Sequence, residues 1–108
     1  MATLIHASCS SCNIDRRFSF GANRSQFSEG TVMIPFLDKL ENKLIILDIS
    51  KPYDQSRLVS YADASMYAGE IKDFNGTQHV QHWIKTEGNY CPLCKTFTMT
   101  FNPYGLSD

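Results

Sequence analysis

Two C-x-x-C units constrain this chain more than any other feature. Cys9 and Cys12 lie in "HASCSSCNIDRRFSF", and Cys91 and Cys94 in "YCPLCKTFTMTF". They are the only four cysteines in the chain, and 78 residues separate Cys12 from Cys91. A reducing cytosol leaves few structural disulfides. Cysteines in matched close pairs therefore point to one shared metal ion. Tetrahedral zinc is commonly held this way, because each tight turn brings two sulfurs to about 2.3 Å from the ion. Four thiolates leave no coordination position open for water, so such an ion is structural and is no Lewis acid for catalysis. The same four sulfurs also fit iron.

The flanking residues say what carries the pairs. After the first, Ile14, Arg16, Phe18 and Phe20 alternate with Asp15, Arg17 and Ser19; after the second, Phe97, Met99 and Phe101 alternate with Thr96, Thr98 and Thr100. Period-two alternation rich in Phe and Thr predicts half-buried strands. With "TLIHAS" (3–8) as a strand before the first pair, each C-x-x-C becomes the tip of a β-hairpin. Residues 3–21 and 88–102 thus resemble the zinc-ribbon or rubredoxin-like architecture, roughly a third of the chain. That resemblance implies a β knuckle around each pair and often a glycine after the second cysteine, where the backbone tends toward positive φ. Here those positions are Asn13 and Lys95, of which Asn accepts that geometry more readily.

The intervening residues, about 22–87, read as an inserted antiparallel β-rich segment within one domain spanning 1–108. "TVMIPFL" (31–37) and "KLIILDIS" (43–50) form a strand–turn–strand pattern across "DKLEN", with Pro35 making the first an edge strand or an extended segment. "RLVSYA" (57–62) is a third strand, and "ANRSQFSEG" (22–30) a polar loop. Asp63 is a good N-cap for one short helical turn ending near Gly69. "FNGT" (74–77) reads as a turn, and "QHVQHWIKT" (78–86) fits either a strand or a short helix. The fold class expected is mainly β, with room for one short helix.

Ten basic and eleven acidic residues give a net charge of −1, so no bulk attraction to nucleic acid or anionic membrane follows. The longest apolar run, "LIIL" at 44–47, falls far short of the ~20 residues that cross a bilayer. The first ten residues lack the basic and apolar regions of a secretory leader. These features predict a cytoplasmic protein without a membrane role.

Other residues invite further readings. Arg16, Arg17 and Arg24 interleave with Phe18 and Phe20, a combination that suits phosphates and bases; the alternative is that the two Phe lie in the core and the arginines on a solvated face. "CPLC" also resembles a glutaredoxin-type dithiol, but that pair opens a helix, and "KTFTMTF" is patterned as a strand. His6 stands three residues before Cys9 and is a candidate ligand or second-layer donor. His79 and His82 have helical i, i+3 spacing, with Asp73 and Glu87 the nearest further ligands, and read better as ordinary histidines. Asp48, Asp54, Asp63, Glu70 and Asp73 show no catalytic pairing, and no phosphate-loop, zinc-hydrolase or serine-triad pattern occurs. The expectation is a non-enzymatic zinc protein without a small-molecule substrate whose partner is another protein, with nucleic-acid binding and dithiol redox chemistry as alternatives.

Overall fold

The computed structural model describes residues 2–68, 76–79 and 82–107. It is mainly β, in several antiparallel sheets. At the chain's two ends, β1 (Ala2–Cys9) turns into β2 (Asp15–Phe20), and β8 (Asn89–Cys91) turns into β9 (Thr96–Ser107). These four strands form one sheet in the order β2-β1-β9-β8. The expected alternation holds where the sheet meets the core: Ile5, Ala7, Phe18, Phe20, Met99 and Phe101 are all buried. Antiparallel pairing of β1 with β9 aligns Cys9 with Met99 and Ala2 with Ser107. Each hairpin turn therefore falls at the same end of the sheet. That register, with strands from opposite ends of the sequence as central neighbours, brings the two C-x-x-C units together.

A second sheet, in the order β4-β3-β5, is built from β3 (Met33–Asp38), β4 (Lys43–Asp48) and β5 (Leu58–Ser60). The strand–turn–strand reading of 31–50 holds, but β3 is central and not an edge. Pro35 is tolerated because β5 covers only Phe36–Asp38. The carbonyl of Pro35 accepts from Tyr61 N at 3.0 Å, so its nitrogen faces that same side, beyond the end of β5. Proline therefore forfeits at most the one reciprocal bond past the end of β5 and interrupts neither ladder between strands. The β3–β4 turn is closed by Asp38, which accepts from Leu40 N and Glu41 N and forms a two-pronged ion pair with Arg57 at 2.9 and 2.8 Å.

Residues 22–30 are not a loop throughout: α1 spans Arg24–Glu29. Its start is a reciprocal capping box, with Gln26 N donating to Asn23 Oδ1 at 2.8 Å and Asn23 N to Gln26 Oε1 at 3.0 Å. Gly30 ends it at φ +76, where Thr31 N bonds back to the Gln26 carbonyl at 2.8 Å. The expected turn after Asp63 is present as a 3-10 helix, Ala64–Met66, capped by the Asp63 side chain, but it ends earlier than the expected neighbourhood of Gly69, because Tyr67 is already extended and bridges Asn89. The ambiguous "QHVQHWIKT" supplies part of a hairpin, β6 (Gly76–His79) with β7 (His82–Lys85). Gly76 and Thr77 lie in β6, so the expected turn at 74–77 is not one there; residues 74 and 75 lie outside the described residues. A side chain at Gly76 would collide with the Ile84 carbonyl and the Trp83 ring.

The sheets meet around Phe101, which takes Phe18 and Tyr61 edge-on at centroid distances of 5.6 and 5.1 Å. Tyr61 is fully buried and donates its hydroxyl to the Tyr90 carbonyl at 2.7 Å. This bond ties the second sheet to the residue just before Cys91. No helix among the described residues is long and apolar enough to cross a membrane.

Candidate metal centre

Cys9 ends β1 and Cys91 ends β8, while Cys12 and Cys94 occupy the turns that follow. The four Sγ atoms lie within 4.8 Å of one another. Two contacts cross between the knuckles: Cys9 to Cys94 at 3.6 Å and Cys12 to Cys91 at 3.5 Å. A regular tetrahedron with metal–sulfur bonds of about 2.3 Å has edges of ~3.8 Å. The sulfurs are thus spaced to share one ion. Cys9 and Cys91 are buried and Cys12 and Cys94 half-buried, a closed site with one partly wetted side.

Polar groups of the knuckles are aimed at the sulfurs. Thr98 Oγ1 lies 3.2 Å from Cys9 Sγ and is itself 3.1 Å from Thr96 Oγ1. Backbone N–H groups contribute from Ser11 to Cys9 and from Cys94, at 3.5 Å, to Cys91. The Thr98 hydroxyl, helped by Ser11 and opposed by burial, lowers the Cys9 thiol to about 6. Burial pushes Cys91 up, and the adjoining Cys12 thiol, with burial, pushes Cys94 to about 12. Without a cation the cluster gives up one proton easily and holds others, because adjacent thiolates repel. A bound dication reverses this by neutralising the sulfurs together.

The two knuckles differ in backbone. Lys95 sits at φ +57, with its N–H closing the turn onto the Cys91 carbonyl at 2.7 Å. Asn13 is not among the positive-φ residues. The left-handed position therefore falls on lysine, the residue less suited to it, and not on the asparagine.

His6 is not among the clustered ligands; its Nε2 contacts Asp15 Oδ1 at 2.5 Å. His79 and His82 face each other as the last pair of the β6–β7 hairpin, so neither the helical spacing nor the opposite faces of a single strand applies. His79 instead packs on Phe20. Asp73 and Glu70 lie outside the described residues, and Glu87 is exposed beyond β7. Asp48, Asp54 and Asp63 share a D-x-S pattern: each carboxylate accepts from the backbone N–H and hydroxyl of the serine two residues on. These bonds lower all three carboxyls. They are turn formers, which the repeated pattern could have signalled.

Phe18 and Phe20 are buried in the core and are not presented for base stacking. Arg16 donates to the Leu44 carbonyl at 2.6 Å, Arg17 lies 6.0 Å from the centroid of the Tyr104 ring, and Arg24 is exposed on α1. After Cys94 the chain enters a strand and not a helix, unlike the setting a glutaredoxin-type dithiol needs.

Sequence reading missed how the inserted segment touches the knuckles. Asn42, left-handed at φ +54 in the β3–β4 turn, donates its side-chain amide to the Pro92 carbonyl. Arg16 reaches the start of β4, as above. Between these contacts lies a groove of about 210 Å³, whose walls include Ile14, Leu44, Pro92 and Leu93. Leu93, at the tip of the second knuckle, is 63% exposed. In comparisons with protein-family models, curated proteins and solved structures, nothing matches this chain.

Proposed function

We propose that this is a small non-enzymatic zinc protein of zinc-ribbon type, one cytoplasmic domain over residues 1–108 with its insertion at about 22–87. One structural ion on Cys9, Cys12, Cys91 and Cys94 stabilises a surface that binds another protein. The observation that carries this is the four-sulfur cluster at tetrahedral spacing, which uses every coordination position and leaves none for a substrate. The binding surface is the groove beside the knuckles, since both of them and the β3–β4 turn contribute to it.

Native mass spectrometry of protein purified without added metal should find one zinc per chain; the mass difference separates zinc from iron. Cobalt substitution should give the intense thiolate absorption of a tetrahedral four-sulfur site. A folded chain with no metal, melting unchanged after exposure to chelator, would defeat the proposal. For the interaction role, Leu93→Asp should keep the metal and melting behaviour but lose a partner that the unsubstituted protein captures. A partner held equally by both places the interface elsewhere.

A further inference from the structure

The two sulfur contacts of 3.6 and 3.5 Å each join opposite knuckles: Cys9 with Cys94, and Cys12 with Cys91. They connect positions 85 and 79 residues apart. Each pair also combines a buried sulfur with a half-exposed one, Cys9 with Cys94 and Cys91 with Cys12. An oxidant from solvent can therefore reach one member while its neighbour waits within contact distance. We infer that a peroxide converts the clamp from ionic to covalent, forming Cys9–Cys94 and Cys12–Cys91 disulfides that keep both knuckles joined after the ion has gone.

The chemistry balances with peroxide as the sole oxidant. The Cys94 or Cys12 sulfur, shedding its proton where it is still a thiol, attacks one peroxide oxygen; the O–O bond breaks, a sulfenic acid forms, and the hydroxide that leaves takes up a proton to become water. The neighbouring Cys9 or Cys91 sulfur then attacks the sulfenic sulfur. The S–S bond forms, the S–O bond breaks, and a second water departs. Forming each disulfide passes two electrons from its pair of sulfurs to one peroxide molecule, so two peroxides complete both. With its thiolate ligands consumed, a dication has no site. The pairing rests on the sulfur placement alone; release of an ion rests in addition on the metal reading above.

The test treats the 1–108 chain, as purified, with hydrogen peroxide. Disulfide-linked peptides are mapped by mass spectrometry, zinc release is followed with a chromogenic chelator, and thermal melting is recorded afterwards. The expected map joins the Cys9–Cys12 peptide to the Cys91–Cys94 peptide, with fragmentation assigning 9–94 and 12–91. Zinc release should rise in step with crosslinking. Oxidised, metal-free protein should retain a cooperative melt that reduced, chelator-treated protein lacks, and dithiothreitol should abolish it. The other cross-knuckle pairing (9–91 with 12–94), links within each C-x-x-C unit, links between molecules, or sulfinic and sulfonic acids without disulfide would overturn the inference. So would correct crosslinks in a chain that no longer melts cooperatively. Cross-knuckle disulfides in a chain that never held metal would uphold the pairing and sink the metal reading.

Discussion

Thr98 shows what a single side chain beside the sulfurs contributes. Its hydroxyl is the leading cause of the lowered Cys9 thiol, at about 6. Thr98→Val keeps the shape and β-propensity but removes that donor. The Cys9 proton is then held to higher pH, and since metal competes with that proton, the pH of half-loading should rise. Groups that orient and stabilise ligands typically contribute about 10–100-fold in metal affinity, so a loss near the lower end is expected in chelator competition. An unchanged loading curve would mean the hydroxyl has no hold on the site. At Lys95, the left-handed backbone costs a non-glycine residue of order 1–2 kcal/mol, while glycine gives back roughly 0.5–1 kcal/mol in chain entropy. Lys95→Gly should therefore raise the urea midpoint of the metal-loaded protein slightly, whereas Asn13→Gly, with no such strain to relieve, should not. The general expectation of positive φ after the second cysteine was legible from the motif. Which knuckle would adopt it was not, because Lys95 owes its φ to a turn closed on Cys91, and residue preference alone points to Asn13.

At the scale of elements, period-two alternation was enough to place β2 and the start of β9, since one face of each meets the core, while β1 was placed as the strand needed to complete the first hairpin. Alternation could not rank β3, because whether Pro35 harms a strand depends on where the neighbouring strand stops, and β5 stops at Ser60. α1 escaped a hydropathy reading for the opposite reason: six residues are too short to show helical periodicity. Its signal was the Asn-x-x-Gln box and the following glycine. Asn23→Ala should cost about 1 kcal/mol through the lost cap, seen as a lower melting temperature without loss of metal. The β3–β4 turn has its own pH signature. Arg57, with Leu40 and Glu41 N–H groups, holds the Asp38 carboxyl at about 2, below its ordinary 3.8. A carboxyl lowered on folding stabilises the fold above its unfolded value, and that contribution fades as pH falls toward the folded value. The stability advantage of the unsubstituted protein over Asp38→Asn should thus be full above pH ~4 and shrink toward pH ~2. An advantage that is constant across this window would assign it to packing.

For the whole molecule, the decisive fact is that the chain's two ends supply the two central strands of one sheet. β1 and β9 lie side by side between β2 and β8, and the cysteines hang from their aligned ends. Closing a long loop costs entropy that grows only slowly with length, so the 78-residue separation is no obstacle once ladder and cluster form together. A structural zinc contributes roughly 10–16 kcal/mol of binding in small zinc domains, against a net domain stability of about 5–15 kcal/mol. Losing half of the ligands should therefore remove most of the margin from either end. Deleting residues 1–12 takes β1, Cys9 and Cys12; deleting 91–108 takes β9, Cys91 and Cys94. Each truncation removes one central strand and two of the clustered cysteines; deleting 1–12 also takes buried Ile5 and Ala7, and deleting 91–108 takes buried Met99 and Phe101. The two should be equally damaging, both abolishing the cooperative thermal transition and one-to-one metal binding. Phe101→Ala separates packing from ligation: all four sulfurs stay, yet the emptied position should cost about 3–5 kcal/mol, lowering the melt while the metal stoichiometry of the proposed centre holds. If one truncation retained a cooperative melt, the sheet would have an independent half. The ends would then be joined by the ion alone and not by a shared pair of central strands.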